Sequence, residues 1–268
     1  MPIENIELLQ ATEFEILTVF DSYCRVYDLQ YYLIGGALLG AARYGHFIPW
    51  DDDIDVAMPR EDYERLVKLW EKEPLQGYFL QSSKTDPLFA RGIMKLRKDG
   101  TEVIEEICAN VKMHRGIYID IFPIDYVPVS EGDQLARKGK KIRRLLSFRA
   151  IRSGYIGKNH ALLKRMLRWV TLPVALAKID ERLYQEATEY NSGERNYAVL
   201  WLHNYDWARQ IHALPVFGKR GECEFCGKRF MAPEDTDAFL RKVFGEEYMK
   251  EPPKEKQKNP HRYLSFRC

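Results

Sequence analysis

Apolar residues recur at helical spacing across residues 4–27, at Ile6, Leu9, Phe14, Ile16, Leu17 and Phe20, and predict an amphipathic helix. A short Tyr-rich apolar run, residues 29–34, predicts a strand. Gly35-Gly36 ends it, and residues 37–43 read as a short helix, so the unit is strand, glycine turn, helix. A loop with Gly45 and Pro49 follows. Residues 53–58 alternate polar and apolar and predict a second strand, and Pro59 suits the first turn of a helix running to about Lys72.

Further strands are predicted over residues 78–82, 92–97, 101–105 and 116–122. The last is the clearest: Ile117, Ile119 and Ile121 point one way, and Tyr118, Asp120 and Phe122 the other. Pro123 and Pro128 are expected to close it. The texture then changes. Residues 133–183 read as helical and rich in Lys and Arg, 197–203 as a strand, and 217–231 as a hairpin around Gly221 and Gly227. A helix over 235–244 ends at Gly245, and the charged, proline-containing segment 251–260 reads as extended. The expectation is an α+β fold. Residues 1–128 form a catalytic core with a mixed β-sheet flanked by helices. Residues 129–268 form a mainly helical, basic part that packs on the core as one unit and completes the site.

Composition narrows the classes. The chain of 268 residues is 46% hydrophobic and 30% charged, a globular profile with enough apolar mass for a core. A net charge of +2 gives no support for a general nucleic-acid binder. The first residues are acidic and lack the apolar run of a signal peptide. The apolar segment 169–177 contains Pro173 and is far shorter than the roughly 20 residues a membrane span needs. A cytoplasmic location is expected. The five cysteines are scattered and give no disulfide framework. Cys223 and Cys226 have zinc-knuckle spacing without a second such pair, so a hairpin with two free thiols is preferred. A zinc site would need His203, His212 or His261 to join them.

The candidate chemistry lies in Asp51-Asp52-Asp53-Ile54-Asp55. On a strand, Asp53 and Asp55 share one face, and Ile54 and Val56 anchor the other. Adjacent carboxylates repel and are costly to bury, and a divalent cation relieves both effects. Oxygen-only ligands favour Mg²⁺ or Mn²⁺ over zinc. An acidic run by itself also fits a surface loop or a weak calcium site. Two neighbours favour catalysis: Gly35-Gly36 opens a helix whose N-terminus can receive phosphate, and Asp120 is an acid within an apolar strand. Lys95 and Arg97 alternate on one strand, placed to meet phosphate oxygens together.

Strand, Gly-Gly, short helix, then Asp-x-Asp on the next strand resembles the polymerase-beta-type nucleotidyltransferase superfamily. The closer likeness is to the LicD family, phosphocholine-type transferases related to fukutin. It is carried by Ile34-Gly35-Gly36-Ala37-Leu38-Leu39-Gly40-Ala41-Ala42-Arg43 and by Gly45-His46-Phe47-Ile48-Pro49-Trp50 with the acidic run. Met58-Pro59-Arg60, Lys95-Leu96-Arg97 and Tyr118-Ile119-Asp120-Ile121-Phe122-Pro123-Ile124-Asp125 continue it, and Phe244-Gly245-Glu246-Glu247-Tyr248, Pro252-Pro253 and His261 match its closing segment. The resemblance covers nearly the whole chain; the cysteine hairpin stands outside it.

The resemblance implies transfer of a phosphorylated alcohol from a CDP-linked donor, CDP-choline favoured, to a sugar hydroxyl with loss of CMP. The acceptor would be a cell-surface glycan such as teichoic acid or lipopolysaccharide, or its lipid-linked precursor. Asp53, Asp55 and Asp120 would hold the metal, with Asp120 either third ligand or general base. Gly35, Gly36, Arg43, Asp51, Lys95, Arg97 and His261 would contact substrate. Trp50, Tyr118 and Tyr126 lie near the motif in sequence, but the residues define no cage for a choline cation. Residues 137–168, basic and interleaved with Leu and Ile, suit contact with an anionic membrane at the inner face of the plasma membrane, or a solvated helix face. Nucleotidyl transfer from a nucleoside triphosphate, and an inactive nucleotide- or glycan-binding module, are the alternative functions.

Overall fold

The computed structural model describes residues 6–156, 161–203, 205–218, 221–259 and 263–268. Helix α1 (Ile6–Val26) leads into β1 (Tyr32–Ile34), α2 (Gly35–Tyr44), β2 (Asp55–Pro59) and α3 (Arg60–Trp70). Strands β3 (Tyr78–Gln81), β4 (Met94–Lys98), β5 (Glu102–Glu105) and β6 (Tyr118–Val127) follow. Helices α4 (Asp133–Ser153), α5 (Ala161–Val170) and α6 (Leu176–Thr188) make the basic stretch. The chain then forms β7 (Tyr197–Val199), β8 (Ile211–Ala213), the short α7 (Leu214–Phe217), the hairpin β9 (Glu222–Phe225) and β10 (Lys228–Met231), α8 (Thr236–Phe244) and β11 (Tyr263–Arg267).

The architecture is the mixed α+β arrangement that the pattern predicts. One sheet runs in the order β1-β2-β6-β4-β3, and β7 and then β8 extend it from the far half of β6. β2 and β6 are parallel and the other neighbours antiparallel. The stretch beyond residue 128 is therefore helical first and then returns two strands to the same sheet. Ile117, Ile119 and Ile121 are fully buried, and α1 covers the sheet with Leu9, Ile16, Leu17 and Phe20.

The strand predicted over residues 197–203 stops at Val199, and further expectations need correction. Pro123 does not end β6 but lies inside it. Pairing with β4 stops at Ile121 and pairing with β7 starts at Asp125, so Pro123 occupies the gap on that side, where its missing N–H leaves no partner wanting. The segment after Glu251 is extended only in part: a turn at Lys254–Lys256 precedes β11, which pairs with β5. That pairing is non-local, and its signal is absent from either strand alone. Among the described residues no helix is long and apolar enough to cross a membrane.

A buried ion pair ties the helical part to the sheet. Arg60, at the start of α3, donates from Nε and Nη2 to the two oxygens of Asp125, at 2.8 and 2.7 Å. Asn191, just beyond α6, donates to the same carboxylate at 2.8 Å. Two-point geometry and a third donor offset the desolvation of Asp125, which is inaccessible to solvent. Asp125→Ala strands the Arg60 charge and should destabilise the protein by about 3–5 kcal/mol in urea unfolding. A loss near zero would show that water replaces the carboxylate.

Candidate active site

The acidic loop is fixed from both ends. In α1, Gln10 donates from Nε2 to the carbonyls of Ile48 and Asp51, at 3.2 and 2.8 Å. Gly35 and Gly36 are the first turn of α2 itself. Gly35 has φ +62°, a left-handed conformation, and Asp55 Oδ2 lies 2.8 Å from where its Cβ would stand. The Asp51 carboxylate fills the space a Cβ on Gly36 would need. The glycines thus let two carboxylates approach a helix N-terminus, where unpaired N–H groups favour negative charge.

Sheet register assembles the rest. Asp55 pairs with Asp120 across β2 and β6, and Asp120 pairs with Lys95 across β6 and β4. Lys95 Nζ lies 2.7 Å from Asp120 Oδ1 and 3.1 Å from the centre of the Tyr118 ring. Burial pulls the Lys95 ammonium below its usual range, with Asp120 opposing. Burial raises the Asp120 carboxyl, Lys95 opposes that, and Asp55 adds to it. The strand predicted from residue 53 begins only at Asp55, and Asp53 closes the loop before it. Carboxylate oxygens of Asp51, Asp52 and Asp53 come within 4.8 Å of one another. Asp53 is raised well above the usual carboxylate range, by burial first and then by Asp55, Asp51, Asp52 and Asp120. Asp52 also turns to the Tyr263 hydroxyl on β11, which hydrogen-bonds it.

Two functional candidates escape the sequence reading. Glu13 is 2% exposed on the face of α1 that carries Leu9, Ile16 and Leu17, and its Oε2 has no hydrogen-bond partner among the described residues. Burial and then Asp53, Asp52, Asp51 and Asp120 raise its carboxyl well above the usual range. A legible signal existed: a Glu on the apolar stripe of the first helix. His203, just past β7, places Nε2 3.3 Å from Asp55 Oδ2, while Tyr205 N–H donates to its Nδ1 at 3.4 Å. These contacts put the proton on Nε2, donating to Asp55. The ring packs between Phe122 and Tyr205, at 4.7 and 4.9 Å. No local pattern announces this residue, because 148 positions separate it from Asp55.

A cavity of about 260 Å³ opens beside Asp120, walled by Arg91, Phe122, Arg143, Ser147 and Leu202. Arg91 is paired with Glu105 at 2.8 Å, and Arg143 donates to the Tyr205 carbonyl. A larger cleft, about 1080 Å³, is lined by Tyr32, Pro59, Ile124 and Tyr126, at the other end of the same strands, and holds none of the clustered acids.

Other predicted contacts lie elsewhere. Arg97 is buried, donating to Gln81 Oε1 at 2.6 Å and to the Gly116 carbonyl at 2.5 Å. Arg43 donates to the carbonyls of Tyr248 and Lys250, strapping α2 to the segment after α8. Trp50 and Tyr126 pack against the core. His261 falls outside the described residues. Cys223 and Cys226 belong to the β9–β10 hairpin, as the spacing of its glycines suggested, and burial raises both thiols.

Comparison with known proteins supplies the family. The profile of the LicD/FKTN/FKRP nucleotidyltransferase domain matches residues 28–136, a span holding β1 to β6 and every clustered aspartate. The lipopolysaccharide cholinephosphotransferase LicD of Haemophilus influenzae is 31% identical over 250 residues, covering 92% of each chain. This chain belongs to the LicD family. The ribitol 5-phosphate transferases FKRP of mouse and human share 56% identity over 34 residues, 13% of this chain and 7% of theirs. In this family member the acids form an oxygen-only donor set, crowded and desolvated, with an orphaned Glu13 oxygen beside it. That set fits a hard divalent cation.

The raised Glu13 carboxyl makes a signed prediction. A carboxyl raised on folding contributes stability below its unfolded value and loses it as pH rises through its folded value. His212, pushed down to about 3 by burial, works oppositely below 6.5, so the comparison must be with a variant. In chelator, Glu13→Gln should be more stable than wild type at neutral pH, with the gap closing towards pH 4.5. Thermal unfolding across that range checks it; a gap independent of pH would place the Glu13 titration elsewhere.

Proposed function

We propose that this protein is a metal-dependent phosphotransferase that moves a phosphorylated alcohol, phosphocholine in the favoured case, from a CDP-linked donor to a sugar hydroxyl. The acceptor is a cell-surface glycan or its lipid-linked precursor, and CMP leaves. The observation that carries this reading is the row Asp55–Asp120–Lys95 in sheet register, with the Asp51–Asp53 loop at one end and the cavity beside Asp120. The names of the LicD and FKRP relatives, a cholinephosphotransferase and a ribitol 5-phosphate transferase, support the class of group transferred.

Asp53, Asp55 and Asp120 would hold Mg²⁺ or Mn²⁺, with Asp51 close enough to join through water. The ion would supply charge neutralisation at the donor pyrophosphate. The remaining work belongs to the chain. Asp120, on the cavity wall, serves either as third ligand to the ion or as the base that accepts the proton of the attacking hydroxyl. Lys95 holds the Asp120 carboxylate in place from the neighbouring strand. His203 orients Asp55 through its Nε2 proton. Arg91 and Arg143 offer positive charge to the phosphoryl group in the cavity.

Incubation with Mg²⁺ or Mn²⁺, a panel of CDP-alcohols and a glycan acceptor should release CMP. Pyrophosphate release from a nucleoside triphosphate would instead assign nucleotidyl transfer, and neither product would point to a binding module. Asp53→Ala and Asp55→Ala should each reduce turnover to background with the melting temperature retained. His203→Ala should lower activity about 10- to 100-fold and raise the metal concentration needed for half activity. An unchanged metal requirement would confine His203 to packing.

A further inference from the structure

Helix α5 is folded the wrong way round for a surface helix. At about 100° per residue, Leu162, Leu163, Met166, Leu167, Trp169 and Val170 fall within one arc, and Ala161, Lys164, Arg165 and Arg168 take the opposite side. A helix packed on a globular body ordinarily turns its apolar arc inward. Here the half-buried positions are Ala161 and Lys164, and the apolar arc faces solvent. Trp169 is 76% exposed and Val170 79%, and no residue of the helix is buried. Leu172 and Val174 continue the exposed apolar surface beyond it.

The orientation is held in place. Arg152, in the last turn of α4, donates to the carbonyls of Leu172 and Val174 at 2.8 and 3.2 Å. The Arg168 guanidinium packs at Gly154, the residue that caps α4. The charge pattern selects what covers the apolar face. α5 carries three cations and no carboxylate. On α4, exposed Arg137, Lys140 and Arg144 recur at helical spacing beside Lys141, which pairs with Glu186 of α6 at 2.7 Å, and Asp133 is that helix's sole acid. Another protein could cover an apolar face, but an apolar arc whose own helix carries cations and no carboxylate matches a surface that is apolar beneath and anionic above.

We propose that α5 is an interfacial anchor that lies in the plane of an anionic lipid bilayer, its apolar arc in the acyl boundary and the cations of α4 and α5 at the headgroups. At 10 residues it cannot cross the bilayer, so the attachment is peripheral. α4 carries α5 and also supplies Ser147 and Ala150 to the cavity beside Asp120. Docking would bring that cavity to the lipid surface; this last step rests on the reading of the reaction given above, whereas the anchoring does not.

The test is flotation of the full chain with vesicles of phosphatidylcholine alone or mixed with phosphatidylglycerol. The wild type should float with the mixed vesicles, stay behind with phosphatidylcholine, and be released by salt. Met166→Asp with Val170→Asp should weaken vesicle binding about tenfold or more, with melting temperature and CMP release on a soluble acceptor unchanged. Failure to float with either vesicle, equal flotation with both, or a double variant that floats like wild type overturns the proposal. So does a concentration-dependent dimer that the double variant abolishes in the absence of vesicle binding, since a second copy then covers the face. Because flotation needs no turnover, anchoring and the proposed reaction fail separately.

Discussion

Mutual repulsion among crowded, buried and half-buried carboxylates is the constraint around which this protein is built. Glu13, Asp51, Asp52, Asp53, Asp55 and Asp120 converge from α1, the loop before β2, β2 itself and β6. Like charges at such separations in a poorly solvated site are unfavourable by several kcal/mol. The fold offsets part of this. Lys95 lies against Asp120, the open N-terminus of α2 faces Asp51 and Asp55, and His203 and Tyr263 donate to Asp55 and Asp52. The raised carboxyls of Glu13, Asp53 and Asp120 mark what is left over, and a divalent cation is the species whose charge and oxygen preference match it.

The scaffold around the acids resists that repulsion by being over-determined. Each strand bearing a site residue is clamped by buried polar pairs: Arg97 to Gln81 and Gly116 beneath β4, Arg60 to Asp125 beneath β2 and β6. Elements remote in sequence close the site. Arg43 straps α2 to the segment after α8, and β11 brings Tyr263 to Asp52. The long polar side chains near the motif therefore divide by where they end. Arg97 and Arg43 are held by the chain's own carbonyls and amide oxygen away from the cavity, while Arg91, paired with Glu105, and Arg143, bonded to the Tyr205 carbonyl, line it.

The same division separates what could be read along the chain from what could not. Periodicity located the first helix, the Gly-Gly unit, the central strand with Asp120 and the basic helical stretch, because each is a local pattern repeated over several residues. It misjudged Pro123, whose tolerance depends on where two neighbouring strands stop and start. It paired Lys95 with Arg97 as phosphate contacts from their shared strand face, whereas their neighbours turn one to an aspartate and the other into the core. Glu13 was visible as an acid on an apolar stripe, but its meaning needed the acids opposite.

By itself the sequence determined the element types, the acidic run, the glycines before it and the family to which the chain belongs. These are written in contiguous motifs and in the alternation of apolar and polar positions. Only the tertiary structure decided that Asp55, Asp120 and Lys95 form one row, that His203 and Glu13 join them, and that α5 turns its apolar arc outward. Register and helix orientation are settled by contacts between segments tens to hundreds of residues apart, and no local pattern encodes which partner a buried charge will meet.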